Sequence, residues 1–177
     1  ITLQGSQTGV VPQDVLGWPS IPGVTYNGLI TTRYLLNFGK SFDNGILSNY
    51  PPSIDGCPAY TIFVSKVDQD GNEVAGIRLP PVEAPVSTTT GWGLRRDGFS
   101  ENEGLEAEGQ YIPFKETRED RIAIGDPRLS LEERYQNHDG YVSAVTIAAQ
   151  KLEKQRLLLP LDVQKYVVEA KLSNVLT

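Results

Sequence analysis

The chain of 177 residues is long enough for one domain with a sizeable core, and its hydrophobic and charged contents, 39% and 21%, are ordinary for a globular protein. Because 22 acidic residues outnumber 16 basic ones, the net charge is −6, which disfavours binding to nucleic acid. No apolar run approaches the roughly eighteen residues of a membrane helix. We therefore expect a soluble protein with no nucleic-acid or membrane partner. The sequence does not name its compartment, although a periplasmic or secreted location is slightly favoured over a cytoplasmic one.

Residues 1–59 are predicted to form an irregular arm, because prolines and glycines are frequent there. Such a segment makes few backbone hydrogen bonds of its own and needs a neighbouring surface. Within the arm, "LITTRYLLNFG" (29–39) predicts a short helix that ends at Gly39. The segment "FDNG" (42–45) predicts a turn, since an Asn-Gly pair tolerates positive φ. The chain contains no methionine, so we expect either a trimmed N-terminus or a piece of a longer polypeptide.

Residues 60–112 are predicted to form one β-hairpin followed by a loop. The first strand, "YTIFVSKV", is rich in β-branched and aromatic residues, and its partner "EVAGIRL" follows a turn at Asp70 and Gly71.

The same turn, "DQDGN", also suggests a calcium loop. An EF-hand places its glycine at the sixth loop position, after three spaced ligands. Here Gly71 follows Asp68 by only three positions. The spacing therefore favours a hairpin turn that binds no calcium tightly.

Residues 113–177 are predicted to be helical. Thr117 is a candidate N-cap for a charged helix that ends at Gly125, and Ser130 with Glu133 fits a capping box for the next helix.

Two longer amphipathic helices are predicted to follow. The first has one apolar face at helical spacing, and the second begins at Pro160, a residue favoured at the first helical position. The residues predicted to face the core are Tyr141, Val145, Ala148 and Leu152 in the first helix and Val163, Val167 and Ala170 in the second.

Candidate catalytic residues are few. Serine catalysis needs an activating base, and His138, the one histidine, lies in a polar link between predicted helices, where an exposed or capping role is usual. The segment "GSQTG" (5–9) has Gln7 where a nucleophile elbow has serine. Cys57, the one cysteine, is predicted to be a small buried hydrophobe. We predict no catalytic residue, no metal ligand and no cofactor in this chain, although a carboxylate pair among its acids stays open.

The segment "STTTGWGLR" (87–95) places Trp92 between two glycines. A phosphate-binding loop requires further glycines and a following helix, which the sequence lacks. Trp92 is therefore expected either to fill a core or to line a pocket wall. We take Trp92 and Arg95 as the candidate substrate-binding residues.

Several motifs together resemble the C-terminal region of large bacterial-type α/β-hydrolase-domain proteins, a family of serine hydrolases. They cover nearly the whole chain in the family's order: "GVVPQDVLGWPSIPGV", "NGLITTRYLLNFG", "VDQDGNEVAGIRLPPVEAPVSTTTGWGLR", "GQYIPFKETREDRIAIGDPRLSLEERY" and "LLLPLDV". Members carry a bulkier polar residue where Gly93 follows Trp92, which affects the shape of that turn alone.

The resemblance implies the fold class α/β and a role that is non-catalytic. In such proteins the nucleophilic serine, the acid and the histidine lie upstream of the region that this chain resembles. The expected partners are thus the upstream catalytic portion of the same protein, or a companion chain, and a small-molecule substrate of the parent, an ester or amide of a carboxylic acid. An independent binding or structural module is the alternative.

Overall fold

The computed structural model describes residues 9–26, 33–101, 103–105 and 108–177. Within these residues, six short strands form three two-stranded antiparallel sheets. The pairs are β1 (Val10–Pro12) with β2 (Phe63–Ser65), β3 (Ser87–Thr90) with β6 (Gln110–Pro113), and β4 (Gly93–Leu94) with β5 (Gly104–Leu105).

The described residues also contain five α-helices, most of them in the C-terminal third. They are α1 (Pro80–Glu83), α2 (Arg118–Ala123), α3 (Leu131–Tyr135), α4 (His138–Lys154) and α5 (Pro160–Leu172). None of the described helices is long and apolar enough to cross a membrane.

The predicted boundaries of the two short helices in the C-terminal third are confirmed, whereas the predicted polar link around His138 is wrong, because α4 begins at that residue. Thr117 caps α2 by accepting a hydrogen bond from the Asp120 amide, and the chain leaves that helix through Gly125, which has φ +73°. Ser130 and Glu133 form the predicted capping box at the start of α3. Because each of these signals acts within four residues, the sequence identifies them without knowledge of the tertiary fold.

The hydrophobic core lies where α4 and α5 pack together and against α1. Ala84, Val145 and Ala170 are buried at its centre, with Tyr141 and Tyr166 packed against them. The predicted apolar faces are largely confirmed: Val145, Ala148, Leu152, Val163 and Ala170 are buried, whereas Tyr141 and Val167 are half-buried. Small alanines in the contact allow the helix axes to approach closely.

The predicted turn at Asp70 and Gly71 is confirmed. The Asp68 amide donates to the carbonyl of Asn72 at 2.8 Å, and Val67 forms an antiparallel bridge with Glu73. The side chain of Asp68 accepts from the amides of Asp70 and Asn72, both at 3.0 Å, and so holds the loop closed. However, the segment after the turn forms no extended second strand, and β2 pairs with β1 instead.

The predicted helix over 29–39 is wrong for its described part, 33–39. There the chain is extended: Tyr34 forms an antiparallel bridge with Ala59, and Asn37 forms one with Ser53. Aromatic residues such as Tyr34 and Phe38 favour extended backbone when a partner segment is available, and this partner lies about twenty residues further along the chain. The start of that predicted helix, at 29–32, lies outside the described residues.

The predicted loop after the hairpin is also wrong in part, because it contains the paired strands β3 to β6. In contrast, the predicted turn at 42–45 is confirmed as a 3-10 turn, Phe42–Asn44, followed by Gly45 in the left-handed region with φ +76°. Cys57 is half-buried within the arm, not buried as predicted.

Candidate functional site

Three aromatic rings from distant parts of the chain form one cluster. The ring centroids of Trp18 and Trp92 are 5.2 Å apart, those of Trp18 and Tyr26 are 5.6 Å apart, and those of Tyr26 and Trp92 are 5.9 Å apart. Trp18 and Tyr26 are stacked with an angle of 22° between their planes, whereas Trp92 is tilted by more than 50° to both. Such offset and tilted pairs are the favoured aromatic geometries.

Short local elements place each ring. A 3-10 turn, Gln13–Val15, follows β1 and leads to Trp18, and Ile21, which is 3% exposed, anchors the segment between Trp18 and Tyr26. Trp92 lies between β3 and β4, where the hydroxyl of Thr90 donates to its backbone carbonyl.

Gly71 determines how closely the hairpin turn approaches this cluster. It has φ +83°, and a Cβ atom at this position would lie 3.0 Å from Trp18 Cη2 and 3.1 Å from Thr88 Cγ2. Glycine is therefore favoured at this position for two reasons: it adopts a positive φ without strain, and it has no Cβ to clash with the indole ring of Trp18.

The cluster lines a cavity of about 290 Å³. The remaining wall is formed by β2, the hairpin turn and β3. Its described lining residues are Leu16, Trp18, Tyr26, Phe63, Val64, Ser65, Val67, Gly71, Glu73, Thr89, Thr90 and Trp92. Apolar and aromatic walls with a few polar groups are typical of small-molecule sites.

Two residues that line the cavity carry a hydrogen-bond donor that is itself buried away from it. The indole Nε1 of Trp18 and the hydroxyl of Tyr26 are buried and have no hydrogen-bond partner among the described residues. Burial also raises the pKa of the Tyr26 hydroxyl, so it stays protonated and able to donate. A buried donor without a partner costs on the order of 1–3 kcal/mol.

Asn72 joins the hairpin turn to the strand that leads to Trp92. It is 1% exposed, its Nδ2 donates to the carbonyl of Ser87 at 3.0 Å, and its Oδ1 accepts from the amide of Thr89 at 2.8 Å. These two hydrogen bonds take the place of a neighbouring strand. β3 is therefore hydrogen-bonded to β6 along one edge and to the Asn72 side chain along the other.

A buried ion pair lies beneath the same strand. The Asp126 carboxylate and the Arg128 guanidinium are each 2% exposed, and Arg128 Nη2 lies 2.6 Å from Asp126 Oδ2. Arg128 Nη1 also donates to Thr88 Oγ1 at 2.8 Å and to the carbonyl of Ile112 at 3.0 Å. Arg128 therefore connects both strands of the β3–β6 sheet.

The charge state of Asp126 follows from this geometry. Burial acts to raise the pKa of its carboxyl, but the hydrogen bonds and charge of Arg128, together with the charge of Arg121, outweigh burial and lower that pKa. Sequence reasoning missed this pair, because two opposite charges in a loop carry no periodicity that indicates burial. Their one local signal is the turn-forming "GDPR".

The two predicted substrate-binding residues lie in different surroundings. Trp92 is half-buried and lines the cavity, in agreement with its expected place in a core or pocket wall. Arg95 is exposed, and its amide donates to the carbonyl of Glu103 at 2.9 Å. The described lining of the cavity does not include Arg95.

His138 is the first residue of α4, and both ring nitrogens face backbone carbonyl oxygens. Nδ1 lies 2.8 Å from the carbonyl oxygen of Val175, and Nε2 lies 3.3 Å from that of Lys171. Such contacts are typical of a residue that caps the end of a neighbouring helix. The sequence predicted that the segment 5–9 is not a nucleophile elbow. Of this segment, only Gly9 lies within the described residues.

The described residues contain no group of three or more histidine, cysteine, aspartate or glutamate side chains placed to hold a metal ion.

The combination of helices and short sheets puts the chain in the α/β class. A family model described as an alpha/beta hydrolase domain matches residues 31–168. The chain belongs to this family. No curated protein and no solved structure matches it.

Proposed function

We propose that this chain is the non-catalytic, C-terminal portion of a serine hydrolase that acts on carboxylic esters or amides. The observation that carries the proposal is the match to an alpha/beta hydrolase domain in a chain whose one histidine binds backbone carbonyls. A triad histidine needs one ring nitrogen for the serine and the other for the orienting acid. In His138 both nitrogens are directed at the end of α5 and the segment after it.

Exposed apolar side chains in the arm and in the first residues after it support the proposal that a neighbouring surface is missing. Large hydrophobic side chains are exposed throughout 35–63: Leu35 50%, Leu36 44%, Phe42 50%, Ile46 59%, Leu47 51%, Tyr50 81%, Ile54 48%, Tyr60 55% and Phe63 55%. Exposed apolar patches larger than a few hundred Å² are rare on proteins that act as monomers. We infer that the catalytic portion covers this surface.

The proposed contribution of the chain is to complete the fold and to form one side of the substrate pocket. The aromatic cavity supplies that side, with Trp92 in its wall. Arg95, which is exposed on the strand connection after Trp92, is proposed to contact the substrate from the rim.

We predict that the 177-residue chain alone does not hydrolyse short acyl esters. The measurement is release of p-nitrophenol from p-nitrophenyl acetate, compared between the chain and its His138→Ala variant. Turnover that disappears in the variant would show a complete active site in this chain and would overturn the proposal.

The composition of the source protein provides the complementary test. We expect intact-mass analysis to reveal a longer polypeptide, or a tightly bound companion chain with a G-x-S-x-G motif that a fluorophosphonate probe labels. A free 177-residue chain with no such companion would instead support an independent binding module.

A further inference from the structure

The charge in the lining of the aromatic cavity is negative. Glu73 is the charged residue of the described lining, and that lining contains no lysine, arginine or histidine. The whole chain also has a net charge of −6. A cavity with these charges attracts a cation and repels an anion.

The carboxylate of Glu73 is available to a ligand, unlike those of its acidic neighbours in the hairpin turn. Asp68 is paired with Arg78, whose Nη2 lies 2.9 Å from Asp68 Oδ2. Asp70 is paired with Arg134. Arg78 Nη1 also donates to Glu73 at 3.0 Å, but the acceptor is the backbone carbonyl and not the carboxylate. Among the described residues, the side chain of Glu73 has no hydrogen-bond or ion-pair partner.

The aromatic rings provide the second attraction for a cation. The face of an aromatic ring is negative, and tryptophan binds cations best of the three aromatic side chains. The plane of Trp92 is inclined by 56° to that of Trp18. A group that lies against both rings can be edge-on to both only along the line where the two planes cross. Elsewhere it lies outside the plane of at least one ring, on the side that carries the π electrons.

The apolar wall decides which kind of cation fits. A metal ion needs several oxygen ligands, and the described residues contain no group of metal-binding side chains at the cavity. A primary ammonium is strongly hydrated, so aromatic carbon is a poor exchange for its water. A methylated ammonium is covered by methyl groups, which pack against the rings while the charge is retained. The cavity volume of about 290 Å³ has room for one such group.

We propose that this cavity binds the methylated ammonium group of a small molecule, with Trp18 and Trp92 against its methyl groups and Glu73 as its counter-ion. The chain itself carries the whole described lining. The inference therefore does not rest on the proposed hydrolase function.

Intrinsic fluorescence reports on this cavity directly, because the two tryptophans of the chain are Trp18 and Trp92 and both line it. Choline, ethanolamine and 3,3-dimethyl-1-butanol serve as probes that share a hydroxyethyl group. Choline adds a trimethylammonium, ethanolamine a primary ammonium, and the butanol a neutral group with the shape of trimethylammonium. We expect choline to produce a saturable change that equal sodium chloride does not. The neutral analogue should bind about tenfold more weakly than choline. Ethanolamine should also bind about tenfold more weakly, because its ammonium is strongly hydrated.

The Glu73→Gln variant tests the counter-ion. It removes the negative charge and nearly preserves the shape of the side chain, so the affinity for choline should fall about threefold at low salt. The difference should shrink at high salt, because ions screen an exposed pair. Glu119→Gln is the matched control: it makes the same change of charge at an exposed position outside the described lining and should bind as the wild type does.

Two variants of Trp92 test the aromatic contact, with Trp18 as the remaining reporter. Trp92→Leu should lower the affinity for choline about fivefold, whereas Trp92→Phe, which keeps a ring, should lower it about twofold. Thermal denaturation shows whether each variant is folded. If Trp92→Leu does not fold, Trp92→Phe and Glu73→Gln still decide the result.

The inference is overturned if choline produces no saturable change beyond that of sodium chloride, or if the neutral analogue or ethanolamine binds as well as choline. It is also overturned if Glu73→Gln keeps full affinity at low salt, or if a folded Trp92→Leu does so. These outcomes concern binding by the chain alone, whereas a failure of the proposed function appears as hydrolysis by the chain alone or as a source protein with no catalytic portion.

Discussion

At the scale of single residues, we expect the largest loss of folding stability from replacing one member of the buried pair Asp126 and Arg128. Arg128 bonds to the carboxylate, to the hydroxyl of Thr88 and to strand carbonyls, and its guanidinium lies 5.0 Å from the Phe114 ring centroid. Removing one partner of such a pair leaves an uncompensated buried charge. Both strands of the β3–β6 sheet depend on this contact, and β3 lines the aromatic cavity.

We predict that Arg128→Met lowers the free energy of unfolding by about 3–5 kcal/mol, because Asp126 is left charged and buried. Urea denaturation monitored by circular dichroism measures the change. The matched control is Arg118→Met: the Arg118 side chain is 68% exposed and its Nε lies 3.5 Å from Glu133 Oε1. Its loss should cost about 0–1 kcal/mol. Equal destabilisation by the two variants would contradict this account of the buried pair.

At the scale of elements, Glu133 joins helices α2 and α3. Its Oε2 accepts from the amide and the hydroxyl of Ser130 at 3.0 and 2.9 Å, and its Oε1 accepts from Arg121 Nη2 at 2.7 Å. The hydrogen bond from Arg121, opposed by burial and assisted by Ser130, lowers the pKa of this carboxyl to about 2. One side chain thus completes a capping box and fixes the angle between two short helices.

We predict that Glu133→Gln makes the protein less stable at pH 7 and that the difference from wild type disappears in acid. The pKa of Glu133 in the folded state, about 2, lies below its ordinary value of 4.5, so its contribution is full above pH 4.5 and is lost as the pH falls to 2. Urea denaturation at several pH values tests this. Glu119→Gln, which removes an exposed carboxylate from α2, is the control. A difference that stays constant down to pH 2 would argue against the predicted linkage.

At the scale of the whole molecule, the aromatic cluster attaches the arm to the rest of the chain. Trp18 and Tyr26 come from the arm, whereas Trp92 comes from the connection between β3 and β4. The β1–β2 pairing adds three residue pairs to this attachment. Because the arm has little regular structure, these contacts define where it lies.

We predict that Trp92→Ala lowers the free energy of unfolding by about 2–4 kcal/mol, somewhat less than for a fully buried ring. Hydrogen exchange should become faster across 9–26, since that segment loses its main aromatic contact. Phe99→Ala is the control, because Phe99 is 60% exposed and its ring contacts Arg96. Unchanged exchange in 9–26 and unchanged stability would show that Trp92 does not hold the arm.

The sequence by itself determined the features that depend on near neighbours along the chain. The caps at Thr117 and Ser130, the helix start at Pro160 and the turn at Asp70 and Gly71 are all encoded within a few residues. The motifs also identified the α/β-hydrolase family, which the match to 31–168 confirms. Of the candidate site, sequence reasoning identified Trp92 but neither of its aromatic partners.

Only the tertiary structure decided the features that depend on distant residues. The extended conformation of 33–39 exists because 53–60 pairs with it, against a local pattern that favours a helix. Trp18 lies 74 positions before Trp92, yet their ring centroids are 5.2 Å apart and both rings line the cavity. Likewise, Arg128 is buried because the strands around it supply acceptors for its donors. Hydrogen bonds and ring contacts between distant segments form only when the whole chain folds. The local propensity of a segment contains no information about which distant segment will pack against it.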